Sequence, residues 1–430
     1  MAPGRHAGRR HASAPAARGT RAPPHRPPQL TGSPVPKGLL SIVIGNTPAA
    51  RGLAVDQLVG AAPRAVVLAA SIHCRDTGYP VVQRFVTGPG VSQSVSQPMS
   101  RVATGDSVVI LRQDLLAIRR TVGPPHLVLA LSDELDLLPF LVELWRPRTG
   151  ASALSDHYAP APIVAGLDPV AFLAELGCVH RAVRLWDGTD HTSPLTPAEI
   201  AARRVEAAHG VIVPFPPSPA DRRTDGVAAL VHHLNPSATV VHVEQRPQMA
   251  GEFPPSLLRP VPDALEEWRA LLEPVTVAPS RPVTDLGVTS VVWRARRPLH
   301  PERLADALPT VMAGVLRSRG HLWLSSRPAS VVTWRSAGPH MELHETGRWL
   351  EPGDDSAWRG ASPQRRTLAS WFWHDYYGER RNALTFTGAG LDPDRLRSAL
   401  DAALLDDREL SLGWDGWAAF PDPLLGDVPL

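Results

Sequence analysis

Six continuous apolar runs in the first half of the chain limit its fold more than any other feature. They read LLSIVIG (39–45), AVVLAAS (65–71), HLVLALS (126–132), APIVAGLD (161–168), HGVIVPF (209–215) and ATVVHVE (238–244). Segments with helical spacing separate them, among them Leu53 to Val59, Pro169 to Leu176 and TDGVAALVHHL. A strand that is apolar along its whole length is buried on both faces. Such strands alternating with helices predict a doubly wound, mostly parallel α/β sheet. Ligands in that architecture lie beyond the carboxyl ends of the strands, and the first run ends on Gly45.

The texture changes twice more. Residues 246–284 are rich in Pro, which interrupts regular elements, and read as a linker with one short helical segment at Ala264–Leu272. Residues 285–430 carry nine of the twelve Trp residues. Here GVTSVVWRA alternates like a half-buried strand, and PERLADALPTVMAGVLRSRG places Leu304, Leu308, Val311 and Val315 on one helical face. That helix is expected to kink at Pro309 and stop at Gly320. HLWLSS, SVVTWRS, MELHET and NALTFTGAG read as strands, and LDPDRLRSALDAALL as a helix capped by Asp392 with Pro393 at its first position. The expectation is a smaller α+β domain. The organisation is therefore a basic tail at 1–37, an α/β domain at 38–245, a linker at 246–284 and the α+β domain at 285–430.

The tail has no acidic residue and almost no large apolar side chain, so it is expected to be disordered. It also lacks the apolar segment of a secretory signal. For the whole chain, 43% hydrophobic and 20% charged residues describe an ordinary globular protein, and a net charge of +2 does not argue for nucleic acid. The two cysteines, Cys74 and Cys178, give neither a disulfide framework nor a Cys-rich metal site. No apolar stretch reaches the ~18 residues of a membrane span. A cytoplasmic protein without a membrane or DNA partner is expected.

The residues after the first strand, Gly45 to Gly52, have the order of a P-loop but not its chemistry. The motif G-x-x-x-x-G-K-[ST] cradles phosphates and holds Mg²⁺ through its last residue. Gly45 takes the first position, while Ala50, Arg51 and Gly52 stand where the second Gly, the Lys and the Ser/Thr belong. Pro48 removes one backbone donor. Arg51 keeps the positive charge without the compact ammonium. Any nucleotide is expected to bind weakly, through Gly45, Asn46, Thr47, Arg51 and Gly52, with residual anion attraction at the helix start.

The stretch RRPLHPERL…AGVLRSRGHLWLSSRP…WRSAG (296–338), continued by GERRNALTFTGAGLDPDRLRSALDAALLDDREL, resembles the C-terminal domain of CobW-type proteins. LNPSATVVHVE is similar to the segment before that family's linker. The resemblance implies a P-loop GTPase of the metallochaperone type, linked to zinc homeostasis. Within the family the chain looks most like an actinobacterial branch that recruits a ribosome hibernation factor when zinc is scarce. Against the family pattern, the Cys-x-Cys-Cys metal motif is replaced by GDSVVILRQDLL, which keeps Gly105, Arg112, Asp114 and Leu115 but no cysteine. The acidic switch segment becomes LSDELDLLPF, and the guanine-reading Asn-Lys-x-Asp becomes VPFPPSP.

Two functions compete at this point. One is a zinc-limitation adaptor with weak or no GTPase activity that recruits a ribosome or a ribosome hibernation factor. The other is an active GTPase metallochaperone delivering a divalent metal. GTP and zinc are the cofactors that the resemblance implies. His73 beside Cys74, His232-His233, and a set of His300, His321, His340, His344 and His374 are the metal candidates, and none is assigned. Arg317, Arg319, Arg335, Arg380 and Arg381 are expected to form a basic face, and WFWHDYYG (371–378) an aromatic patch for a partner.

Overall fold

The computed structural model describes residues 36–73, 78–89, 101–123, 125–132, 135–148, 152–180, 183–186, 192–216, 218, 221–244, 253–273, 275, 280–281 and 283–426. The tail at 1–35 and Cys74 lie outside the described residues. Lys37–Leu430 is one compact unit.

The first sheet has eight strands in the order β10-β9-β6-β1-β5-β2-β3-β4. These are β1 (Gly38–Gly45), β2 (Val66–His73), β3 (Val81–Thr87), β4 (Arg101–Thr104), β5 (His126–Leu131), β6 (Tyr158–Gly166), β9 (Gly210–Pro214) and β10 (Thr239–Val243). A separate hairpin pairs β7 (Val183–Trp186) with β8 (Thr192–Leu195). The six strands from β10 to β2 run parallel, and β3 and β4 add an antiparallel edge. The helices are α1 (Pro48–Ala61), α2 (Ser107–Thr121), α3 (Leu137–Trp145), α4 (Pro169–Leu176), α5 (Pro197–Ala207) and α6 (Arg223–Leu234).

The continuous apolar runs are explained by which face each residue enters. Leu40, Ile42 and Ile44 join one core with Leu111 and Leu115 of α2, Phe140 and Leu144 of α3 and Val205 of α5. Val43, Val128, Val164 and Ile212 join a second core on the opposite face, with Ala54 and Leu58 of α1. A period-two chain feeding two cores needs apolar residues at every position.

The segment at 246–284 is partly regular. It includes a 3-10 turn (Pro255–Leu258) and α7 (Ala264–Leu272), whose Trp268 is buried against Trp145 with ring centroids 5.5 Å apart.

The second sheet is antiparallel, in the order β11-β15-β12-β13-β14. It comprises β11 (Val288–Ala295), β12 (Val315–Leu322), β13 (Ser330–Ala337), β14 (His340–Arg348) and β15 (Asn382–Ala389). Helices α8 (Pro301–Val311), α9 (Pro363–Trp371) and α10 (Pro393–Ala402) accompany it. Leu304 and Val311 of α8 and Leu396 and Leu400 of α10 share a core with Val291, Leu384 and Phe386 of the sheet.

One expectation fails here. The helix read through to Gly320 ends at Val311, and Val315–Leu322 is strand β12. Gly314 makes the break at φ +75, where a Cβ would lie 2.7 Å from the Ala389 carbonyl oxygen. Pro309 sits in the helix's last turn rather than at a mid-helix kink. A second difference is smaller: α1 begins at Pro48, five residues before the expected Leu53, because the Thr47 hydroxyl accepts from the Ala50 N–H at 3.0 Å and Pro48 suits the first helical position.

Candidate functional site

Strand order places the ligand crevice of the first sheet. β1, β5 and β2 lie to one side and β6, β9 and β10 to the other, so winding reverses between β1 and β6. The crevice of a doubly wound sheet opens at that reversal. Gly45 and Gly166, paired in register, end the two strands there.

That crevice is closed. A P-loop needs several residues of open loop whose amides point at phosphate. Here only Asn46 and Thr47 separate β1 from α1. The Arg51 N–H donates to the Thr47 carbonyl at 3.0 Å, so Pro48 to Arg51, the residues expected in the loop, form the first helical turn. That turn lies directly on the strand ends. A Cβ added at Gly166 would sit 1.9 Å from the Ala50 carbonyl oxygen, and one at Gly45 would sit 2.6 Å from the Arg51 nitrogen. Both glycines accommodate the helix itself.

The donors that a phosphate would use are also engaged. The Ala50 N–H is capped by Thr47, and the Asn46 N–H donates to the Gly166 carbonyl at 3.3 Å. The buried Asn46 amide donates to the Asp168 carbonyl at 3.0 Å and accepts from the Asp168 N–H at 2.7 Å, tying the β1 end to the start of α4. Arg51 reaches back to the Leu131 carbonyl at the end of β5, 3.4 Å away. Gly45, Asn46, Thr47, Arg51 and Gly52 are brought together, as a packed junction. Neither nucleotide phosphates nor Mg²⁺ fit it: Gly52 offers no side chain, and Asp136 of the acidic segment bonds Arg203 at 2.8 Å.

The other family positions serve the fold. Asp106 caps α2, accepting from Val108 and Val109 N–H. Buried Arg112 donates to the Arg146 carbonyl at 2.8 Å, and Asp114 pairs with Arg84 at 2.9 Å. After β9, Phe215 is exposed and stands 5.8 Å from the His242 ring.

The metal candidates do not converge. His300 stacks on Phe420, His321 meets Trp349 edge-on, His340 bonds the Cys178 carbonyl, His344 faces Glu342 and His374 accepts from the Tyr376 and Tyr377 amides. Cys178 pairs with His180 at 3.0 Å, a set of two. Among the described residues no group of three or more His, Cys, Asp or Glu is placed to hold a metal, so a zinc centre does not fit them.

The expected basic face is corrected. Arg317 is only 4% exposed; it bonds Glu199, and Glu206 at 2.8 Å, while Arg319 pairs with Glu206 at 3.0 Å. Arg380 and Arg381 are also buried, with Arg380 pairing with Glu351 and lying over Trp414. The strand assignment explains this: Arg317 and Arg319, two apart on β12, share the face that meets α5. Most of the Trp set is core, including Trp293, Trp323, Trp334, Trp349 and Trp417. Exposed aromatics concentrate at Trp371 (76%), Phe372 (44%), Tyr376 (78%) and Trp414 (47%).

The sequence reading missed the ionic junction joining the two sheets. Glu199 bonds Arg203 and Arg317, and Arg203 also bonds Asp136. Burial alone would raise the Glu199 carboxyl, but the Arg317 and Arg203 guanidiniums hold it down at about 2.

Residues 288–404 match the family model of the cobalamin synthesis protein cobW C-terminal domain. Over 139 residues, 32% of this chain, it is 38% identical to a zinc chaperone of Mycobacterium tuberculosis. Over 221 residues, 49% of the chain, it is 29% identical to zinc-regulated GTPase metalloprotein activator 1 of Dictyostelium discoideum. The chain spans only 35% and 44% of those relatives' lengths. It also overlays Zn(II)-bound YjiA GTPase from E. coli at a TM-score of 0.35 and 12% identity, covering 86% of this chain and 100% of that one. That overlay adds nothing to the strand order. The fold and junction define a P-loop-like α/β protein with an appended α+β domain. The match over residues 288–404 makes the appended domain similar to the cobalamin synthesis protein cobW C-terminal domain.

Proposed function

We propose that this chain is a zinc-homeostasis protein of the CobW type that works as an adaptor and does not hydrolyse GTP. One observation carries the reading: the first turn of α1 lies on Gly45 and Gly166, where a P-loop would hold phosphate. P-loop catalysis is positioning and charge neutralisation around Mg²⁺, and this junction supplies neither. The zinc connection is supported by the names of the two relatives, a zinc chaperone and a zinc-regulated metalloprotein activator. The absence of cysteine from GDSVVILRQDLL supports a role that does not depend on thiolate-held zinc.

The partner in this reading is a ribosome or a ribosome hibernation factor met in the cytoplasm under zinc limitation. The paired arginines are not the surface for it. The exposed Trp371, Phe372 and Tyr376 are, being residue types that dominate interface hot spots. Purified full-length protein is expected to show no GTP turnover above a no-protein control. The Arg51→Lys/Gly52→Thr double variant is expected to remain inactive, because restoring two side chains does not reopen the helix turn. Turnover by the unmodified chain would instead establish the active metallochaperone reading.

A further inference from the structure

The ionic junction borders a cavity of about 340 Å³ between α5, α3, α7 and the β12–β13 pair. Its volume suits a small ligand. One wall is apolar, with Leu137, Leu138, Ile200 and Leu271, and the other is charged. Five guanidiniums, those of Arg203, Arg204, Arg317, Arg319 and Arg335, face four carboxylates, those of Asp136, Glu199, Glu206 and Glu273.

The charges are not matched one to one. Glu199 is shared by Arg203 and Arg317, and Glu206 by Arg317 and Arg319. Glu273 is taken by the Ser362 amide and hydroxyl. Arg335 is left over: its Nε is buried without a hydrogen-bond partner, and among the described residues its guanidinium makes no ion pair. In the antiparallel ladder it lies between Arg319 of β12, a like charge, and Glu342 of β14, with which it closes no ion pair. Burial, then the Arg203 guanidinium, pushes Arg335 below the usual arginine range, and the Glu199 and Glu342 carboxylates only partly offset this. A half-buried cation that closes no ion pair, on the wall of a cavity, is costly in the empty protein and is relieved by a bound anion.

We propose that this cavity is a binding site for a small amphipathic oxyanion, a carboxylate or phosphate monoester carrying an apolar body, with Arg335 as its counter-ion. The planar fork of the guanidinium suits either oxyanion, and the leucine wall takes the apolar part. The site does not depend on the closed P-loop junction, so it stands or falls separately from the function proposed above.

Full-length protein is titrated with benzoate, phenyl phosphate, inorganic phosphate and benzyl alcohol, followed by calorimetry and thermal unfolding. Saturable binding of benzoate or phenyl phosphate is expected, and the stronger of the two identifies the oxyanion. Inorganic phosphate and benzyl alcohol, each with half the chemistry, should bind at least ~10-fold more weakly. Arg335→Gln should weaken the preferred probe by ~10-fold or more, with Arg335→Lys in between. Without ligand, the Arg335→Gln protein should melt at the wild-type temperature or above it, because the change removes a half-buried cation that closes no ion pair. The proposal is overturned if neither probe binds saturably, or if Arg335→Gln leaves probe affinity unchanged. It is equally overturned if Arg335→Gln destabilises or unfolds the ligand-free protein, since Arg335 would then be a structural cation.

Discussion

At the scale of single residues, the molecule is governed by buried charge and buried imidazole. Arg317 satisfies two carboxylates, Glu199 and Glu206, that are themselves nearly inaccessible. Arg317→Leu should therefore destabilise the protein by about 3 kcal/mol in chemical denaturation, because two acids in a dry site each lose one of their two guanidinium partners. Two groups set the response to acid. Burial pushes His126, whose ring bonds the Ser41 hydroxyl at 2.8 Å between β1 and β5, down to about 4. Its unfolded value is about 6.5, so the folded state resists the proton and stability falls as pH drops from about 6.5 towards 4. The Glu199 carboxyl, held at about 2 against about 4.3 when unfolded, adds a second loss between those values. Unfolding free energy measured from pH 7 to 3 should fall throughout, and His126→Asn should flatten the part above pH 4.5.

At the scale of elements, the junction between β1 and α1 decides what the first sheet can do. Gly166→Ala should destabilise the fold by roughly 1–3 kcal/mol or more, since its Cβ would collide with the Ala50 carbonyl that now rests on the strand end. Thr47→Ala removes only the cap and should cost about 1 kcal/mol. Denaturation midpoints with unchanged slopes would check both. The parallel strands and the helices that start at Pro169 and Pro393 are legible in the sequence because their signals are local: apolar runs of strand length, and Asp168 and Asp392 each before a Pro. The start of α1 at Pro48 lies inside the P-loop pattern, and the helical spacing there begins only at Leu53. The β12 strand is not. Leu304, Leu308, Val311 and Val315 keep helical spacing across Gly314, and only that glycine's left-handed turn ends the helix. That one misreading puts Arg317 and Arg319 on a solvated helix and hides the ionic junction. The altered P-loop is legible as lost chemistry, whereas its closure depends on a contact between residues 50 and 166, which no local pattern records.

At the scale of the whole molecule, the two sheets are held together by α5. Glu199 and Glu206 of that helix are the partners of Arg317 and Arg319 on β12, and His233 of α6 bonds Ser290 of β11 at 2.9 Å. A fragment of residues 285–430 alone would expose Arg317 and Arg319 without their acids. It should melt well below the full chain in thermal unfolding, and a partner-capture experiment needs the full chain. The family match and the phosphate chemistry thus separate: the second sheet lies within the matched residues 288–404, while in the proposed reading the first has given its ligand crevice to packing. The central claim is that this crevice is closed, and equilibrium binding of GTP with Mg²⁺ to the full-length protein tests it most directly. No saturable binding, and no rise in melting temperature at millimolar GTP, is the predicted result. A saturable site with a dissociation constant in the micromolar range, lost on Arg51→Ala, would contradict it.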